Sequence, residues 1–168
     1  MRKRIPLLIG LLSLLTLVGG RLAWADDDDD EHEWSRPRVS TRVPMLPAYQ
    51  QECAACHMAY PPGMLPAASW QSIMTGLPKH YGSDASLDVA SVKKLTTWLT
   101  TNAAPNRSMS NRPPQDRITQ SAWFVRQHDE ISASVWKRPA IKSAANCMAC
   151  HAGAEQGDFN EHRVRIPR

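Results

Sequence analysis

Two short cysteine motifs carry the most specific chemistry in this sequence. They are Cys53-Ala54-Ala55-Cys56-His57 and Cys147-Met148-Ala149-Cys150-His151. Paired cysteines at this spacing form disulfides, bind zinc or attach haem through thioether bonds, and only haem attachment requires the histidine that follows. The chain has six histidines in 168 residues. Chance would put one after both pairs in only about one of 800 such sequences. The motifs therefore predict two covalently bound c-type haems.

The spacing within each motif has a geometric reason. On a helix, residues three apart lie on one face, so Cys53 and Cys56 can both reach the vinyl groups on one edge of a haem. His57 comes about a quarter of a turn later and can face the iron. The second motif has the same spacing. We therefore expect His57 and His151 to be the proximal ligands.

The first iron also needs a ligand on its distal face, and His80 is the favoured candidate. It lies in a turn-rich segment just before a helix that is predicted to begin at residue 83 or 84 and to end at residue 100. Small cytochromes commonly cover the distal face with a loop ligand in front of a closing helix. The rival ligands are Met64 and Met74.

For the second iron the favoured distal ligand is His128. The stretch 116–135 lacks Gly and Pro and therefore predicts a helix. Phe124 and Ile131 flank His128 on one face of that helix. Such a histidine is ordinarily a packed core residue, but an iron in this half still needs a partner. The rival ligands are Met109, Met148 and His162.

The two predicted ligand pairs have the same spacing but opposite order. His80 follows His57 by 23 residues, whereas His128 precedes His151 by 23 residues. We therefore infer that the halves are not tandem copies of one unit.

The N terminus has the pattern of a secretory signal. Basic residues at positions 2–4 precede an apolar run over 5–18, and Ala23 and Ala25 are small residues where a signal peptidase recognises them. We predict cleavage after about Ala25. The apolar run is shorter than the roughly 20 residues that span a bilayer, which argues against the alternative of an uncleaved membrane anchor. No stable membrane insertion is expected after cleavage.

The charge balance gives no support for a nucleic-acid partner. The full chain has 20 Lys and Arg and 16 Asp and Glu. Cleavage removes Arg2, Lys3, Arg4 and Arg21 and no acid, which leaves 16 of each. A mature chain of zero formal charge lacks the basic excess that nucleic-acid binding usually shows.

The composition along the chain predicts an all-α protein with long loops. We expect an N-terminal haem domain that resembles a compact cytochrome c, plus a smaller, irregular helical C-terminal haem domain. About 70 residues per haem make a marginal core for protein alone, so each haem should be the centre of its own core. The predicted parts are a signal peptide over 1–25, an acidic extended leader over 26–43 with a solvated His32, the first haem domain over 44–104, a Pro-rich linker over 105–115 and the second haem domain over 116–168.

Several segments around the motifs are more distinctive than the motifs themselves. The first is Trp70 with His80-Tyr81-Gly82-Ser83-Asp84-Ala85-Ser86-Leu87, and the second is Trp123-Phe124-Val125-Arg126-Gln127-His128-Asp129-Glu130-Ile131. The others are Asn146, directly before the second motif, and the C-terminal end of the chain, from residues 154–159 to residues 166–167. With these segments, most of residues 45–168 resembles the small dihaem cytochrome c family of bacterial periplasms.

The resemblance implies that both irons have two histidine ligands, with His80 and His128 in the distal positions. It also implies a periplasmic electron carrier without substrate chemistry, which takes electrons from a membrane cytochrome b and gives them to a soluble monohaem cytochrome. Two alternatives stay open. One is a small dihaem enzyme, a peroxidase or small-ligand reductase, with one open axial position. The other is a two-domain cytochrome with His/Met ligation.

Overall fold

The computed structural model describes residues 43–105 and 111–168. The predicted signal peptide, nearly all of the acidic leader with His32, and the rival ligand Met109 lie outside the described residues. The described residues form α-helices and 3-10 turns and contain no strand, only two isolated bridges, Pro66 to Ala104 and His80 to Ser83. The all-α prediction is therefore confirmed for this part of the chain.

The N-terminal region is built on three helices. They are α1 (Pro47–Cys53), α2 (Ala67–Thr75) and α3 (Val89–Thr101), with 3-10 turns at Pro62–Met64 and Leu77–Lys79. Helix α1 begins with Pro47, whose fixed φ suits the first helical position. Helix α3 begins after Asp88, whose carboxylate accepts hydrogen bonds from the backbone N–H groups of Ala90 and Ser91. The predicted start at residue 83 or 84 was wrong because this N-cap fixes the helix start later in the chain.

A hydrophobic core lies between these helices. Its buried members are Tyr49, Ala59, Leu65, Trp70, Met74, Leu77, Leu95 and Leu99. The Trp70 indole donates a hydrogen bond of 2.7 Å to the carbonyl of Pro62, which satisfies its buried N–H group. This bond fixes helix α2 against the loop that follows the first cysteine motif.

The C-terminal region is irregular. It holds two short helices, α4 (Ala122–Gln127) and α5 (Ala133–Trp136), and 3-10 turns at Pro114–Asp116, Ile118–Gln120, Cys147–Ala149, Ala154–Gln156 and Glu161–Arg163. Its buried apolar side chains are Phe124, Ile141 and Ala154. So small an apolar core is typical of a region that depends on another group for its stability.

The predicted continuous helix over 116–135 was wrong. Gln115 and Asp116 have positive φ values of 55° and 56°, which no right-handed helix can include. Ser121 then ends the preceding turn and caps α4, because its hydroxyl donates to the carbonyl of Ile118 and accepts from the N–H of Phe124. Hydroxyl side chains that bond the local backbone interrupt helices even where Gly and Pro are absent.

The second cysteine motif does not lie on an α-helix either. The helical geometry that the cysteine spacing predicts is replaced here by a single 3-10 turn, Cys147–Ala149. Lys142 has a positive φ of 69°, and the Asn146 side chain donates to the carbonyl of Ile141. These local bonds hold the chain in turns up to the first cysteine of the motif.

Three side chains join the two regions. Arg112 pairs with Asp116 and also donates to the hydroxyl of Ser72 on α2. The other two are tyrosines, Tyr60 and Tyr81.

None of the helices over 43–105 and 111–168 is both long enough and apolar enough to cross a membrane. The domain boundaries stay a prediction.

Candidate functional site

The first site brings together His57 and His80. Helix α1 ends at Cys53, and Cys56 and His57 follow in the next turn. His80 ends the 3-10 turn Leu77–Lys79, ahead of α3. The two imidazole rings face each other with centroids 6.2 Å apart and planes 28° apart.

The second site brings together His128 and His151. His128 is the residue that ends α4, and His151 follows the turn of the second cysteine motif. Their ring centroids are also 6.2 Å apart, but the planes are inclined by 77°. The two pairs therefore agree in separation and differ in orientation.

The separation of 6.2 Å fits a metal ion between two imidazoles. A histidine nitrogen lies about 2.0 Å from a bound metal, and the ring centre lies roughly 1.1 Å beyond it, so two opposed rings on one ion should be about 6.2 Å apart. The described residues contain no group of three or more His, Cys, Asp or Glu suited to a metal ion. Two protein ligands are what a haem iron needs, because the porphyrin supplies the other four.

One histidine in each pair is fixed by the backbone. The Nδ1–H of His57 donates to the carbonyl of Met58 at 2.8 Å, and that of His128 donates to the carbonyl of Phe124 at 2.9 Å. A carbonyl can only accept, so in the neutral form of each ring Nδ1 carries the proton and Nε2 is the nitrogen that can bind a metal. In the first site the fixed histidine is His57 of the cysteine motif. In the second site it is His128, which follows helix α4 and lies outside the cysteine motif.

Burial favours the neutral, ligating form of the remaining two histidines. It lowers the pKa of His80, and the neighbouring His57 lowers it further. Burial likewise lowers the pKa of His151, helped by His128 and opposed by Asp158. Both rings therefore resist protonation, which would block a metal bond.

Aromatic side chains support all four imidazoles. Tyr60 stacks on His57, Tyr81 meets His80 edge-on, Phe124 stacks on His128 and Phe159 lies beside His151. The sequence prediction included Phe124 as a neighbour of His128 but missed Tyr60 and Phe159. Their only sequence signal is position, three residues after His57 and eight after His151.

The four motif cysteines form no disulfide with one another. Burial raises the pKa of Cys53 to about 11, with Glu52 a further cause, and burial raises that of Cys147 to about 11 as well. A reactive, catalytic cysteine needs the opposite shift, toward the thiolate.

The rival ligands lie elsewhere. Met64 and Met74 are buried, and Met74 belongs to the hydrophobic core. Met148 lies within the second motif and is 43% exposed. His162 is exposed in the last 3-10 turn. Among the described residues, the His151 ring contacts the rings of His128 and Phe159 and not that of His162.

Comparisons with known proteins identify the family to which this chain is similar. Residues 49–159 match the family described as dihaem cytochrome c. A dihaem cytochrome c from Shewanella baltica is 37% identical and superimposes with a TM-score of 0.66, covering 74% of this chain and 95% of its own. A dihaem cytochrome c from Rhodobacter sphaeroides is 42% identical with a TM-score of 0.62, covering 70% of this chain and 98% of its own. No curated protein sequence gives a significant match.

The family match covers more than half of the chain, and the matched structures are covered almost completely. Both cysteine motifs fall within the matched residues, so the prediction of two c-type haems is confirmed. The chain therefore belongs to the dihaem cytochrome c family, and its role is haem-based electron transfer.

Proposed function

We propose that this protein is a periplasmic electron carrier in which each haem iron has two histidine ligands. His57 and His80 bind one iron, and His128 and His151 bind the other. The observation that supports this most directly is the separation of 6.2 Å in both imidazole pairs. Two histidines on each iron leave no position for a substrate, which favours a carrier over an enzyme.

The haems, when bound, supply one-electron chemistry at the iron. The chain controls that chemistry through ligand type and surroundings. Imidazole on both faces keeps the potential lower than a methionine would. The bonds from His57 and His128 to backbone carbonyls make these rings stronger donors and hold their orientation. Ligand orientations that are fixed in advance keep the change in structure small when the charge of the iron changes.

Carbon monoxide binding to the fully reduced holoprotein tests the carrier proposal. Carbon monoxide needs an open axial position, so the wild-type protein should bind none over minutes. The variants His80→Ala and His128→Ala should each bind one equivalent, because each opens one position. Prompt, stoichiometric binding by the wild-type protein would contradict the carrier proposal and favour an enzyme.

The proposed partners are a membrane cytochrome b as donor and a soluble monohaem cytochrome as acceptor. The family resemblance supports them. Mixing the reduced protein with an oxidised soluble monohaem cytochrome in a stopped-flow instrument should give one-electron oxidation in two phases. If the acceptor stays oxidised, the partner assignment is wrong.

Cell fractionation of the full-length chain tests the periplasmic location. A haem-free product in the cytoplasm would contradict that location.

A further inference from the structure

Tyr60 lies between the two haem sites. Its ring stacks on the His57 imidazole, with centroids 4.9 Å apart and planes 29° apart. Its hydroxyl donates a hydrogen bond of 2.7 Å to the carbonyl of Ala145, which is 85 residues away in sequence. The sulfur of Cys147 lies 3.8 Å from the same carbonyl oxygen. One side chain thus contacts an axial ligand of the first site and the attachment segment of the second.

Tyr60 is held firmly in this position. Its own carbonyl accepts a hydrogen bond of 2.9 Å from the hydroxyl of Tyr49, a core residue that is 3% exposed. Its neighbours in sequence, Ala59 and Pro61, are both buried. The phenol is therefore held in the position from which it donates to the Ala145 carbonyl.

We propose that Tyr60 is a positioning residue that couples the two haem sites for electron transfer within the molecule. The route runs from the His57 ring through the Tyr60 ring and hydroxyl to the Ala145 carbonyl and the sulfur of Cys147. One electron passes between the irons, so that one ferrous iron is oxidised as one ferric iron is reduced. Tyr60 keeps its proton and its electrons throughout. This inference rests on the proposed carrier function.

Ser72 provides a control at a different contact between the two regions. It lies on helix α2, and its hydroxyl accepts a hydrogen bond from Arg112. Ser72→Ala therefore removes a bond between the regions without changing the ring or the hydroxyl of Tyr60.

The experiment measures electron exchange between the haems in the partly reduced holoprotein. Two-dimensional exchange NMR on haem methyl signals gives this rate. The samples must be dilute, so that electron exchange between different molecules is slow. Loss of an outer partner of a metal ligand typically costs about 10- to 100-fold in metal affinity or activity, and we expect Tyr60→Leu to slow the exchange about tenfold, at the lower end of that range. Tyr60→Phe, which keeps the ring, should slow it less, and Ser72→Ala should leave it unchanged.

Three results decide the matter. Unchanged exchange in Tyr60→Phe and in any folded Tyr60→Leu protein overturns the role of Tyr60. Equal slowing in Ser72→Ala also overturns it, because the cause would then be a general loosening of the contact between the two regions. Failure of the wild-type haems to accept and exchange electrons would overturn the carrier function itself, and this outcome is separate because it needs no variant. EPR of each oxidised variant confirms that both irons keep their ligands.

Discussion

The two haem sites use one cysteine motif but are supported in different ways. Every buried member of the main hydrophobic cluster lies between residues 49 and 99, around the first site. Residues 111–168 have only Phe124, Ile141 and Ala154 as buried apolar side chains. The first site is therefore built on a protein core, whereas the second region must obtain most of its apolar burial from the haem. The same motif is therefore used in one region that has its own hydrophobic core and in another region that depends on the haem for its core.

The sites also differ in how the imidazoles are oriented. The planes are 28° apart in the first pair and 77° apart in the second. The ring that is fixed by a backbone carbonyl belongs to the cysteine motif in the first pair and to helix α4 in the second. Each planar ligand donates π electrons perpendicular to its plane, so parallel and crossed pairs split the iron d orbitals differently. The two haems should therefore be distinguishable by spectroscopy.

The largest effect should come from removing one haem at a time. In Cys147→Ala/Cys150→Ala, residues 111–168 should lose nearly all protection against hydrogen exchange, because few apolar contacts remain to hold them. In Cys53→Ala/Cys56→Ala, helices α2 and α3 should keep part of their protection, because their mutual core does not depend on the cysteines. Equal loss in both variants would show that the contrast between the two regions is wrong.

The next effect concerns the distal ligands. Replacing His128 with Ala should convert one of two low-spin EPR signals to high-spin and leave the other unchanged. His80→Ala should do the same for the other signal, because each histidine belongs to a separate pair. His162→Ala is the control and should change neither signal. If both signals stay low-spin in His128→Ala, then His162 or a methionine binds that iron.

The orientation of the second pair should depend on Phe124. Its ring stacks on His128 with centroids 4.1 Å apart, and its carbonyl accepts the Nδ1–H of the same histidine. In wild-type protein, EPR should show one ordinary rhombic signal, from the near-parallel pair, and one highly anisotropic signal, from the crossed pair. Phe124→Ala should shift only the anisotropic signal and lower the stability by about 3 kcal/mol.

Val125→Ala is the matched control for this prediction. Val125 is the next residue of α4, but it is 55% exposed and makes no ring contact. It should alter neither the EPR spectrum nor the stability to a comparable extent. A shift of both signals in Phe124→Ala would mean that the substitution disturbs the whole protein instead of one ligand pair.

The sequence predicted the haem chemistry more accurately than it predicted the local backbone structure. The cysteine motifs and histidine pairs follow from ligand requirements, which appear directly as residue types and spacing. The helix over 116–135 failed because positive φ at Gln115 and Asp116 and the cap at Ser121 depend on bonds that residue periodicity does not reveal. Tyr60 was missed because its partner, Ala145, is distant in sequence and contributes only a backbone carbonyl. Contacts of this kind have no side-chain pattern to detect.

The smallest effect should appear where the two regions meet, at Asp116. Burial would raise the pKa of its carboxyl, but hydrogen bonds from Arg112, Ser69 and Ser72 and the charge of Arg112 outweigh this and lower it below the ordinary value of 3.8. A carboxyl whose pKa is lower in the folded state stabilises the fold above its unfolded pKa, and the stabilisation disappears as pH falls through the folded pKa. Asp116→Asn should therefore lower the melting temperature by a constant amount from about pH 5 to 7, and the difference from wild type should shrink below about pH 4. Ser72→Ala removes one of the weaker hydrogen bonds that lower this pKa and also a partner of Arg112, so its effect should be smaller and should follow the same pH dependence. Because Arg112 connects Ser72 of the core region with Asp116 of the irregular region, a pH-independent loss in Asp116→Asn would mean that packing, not this ion pair, joins the two.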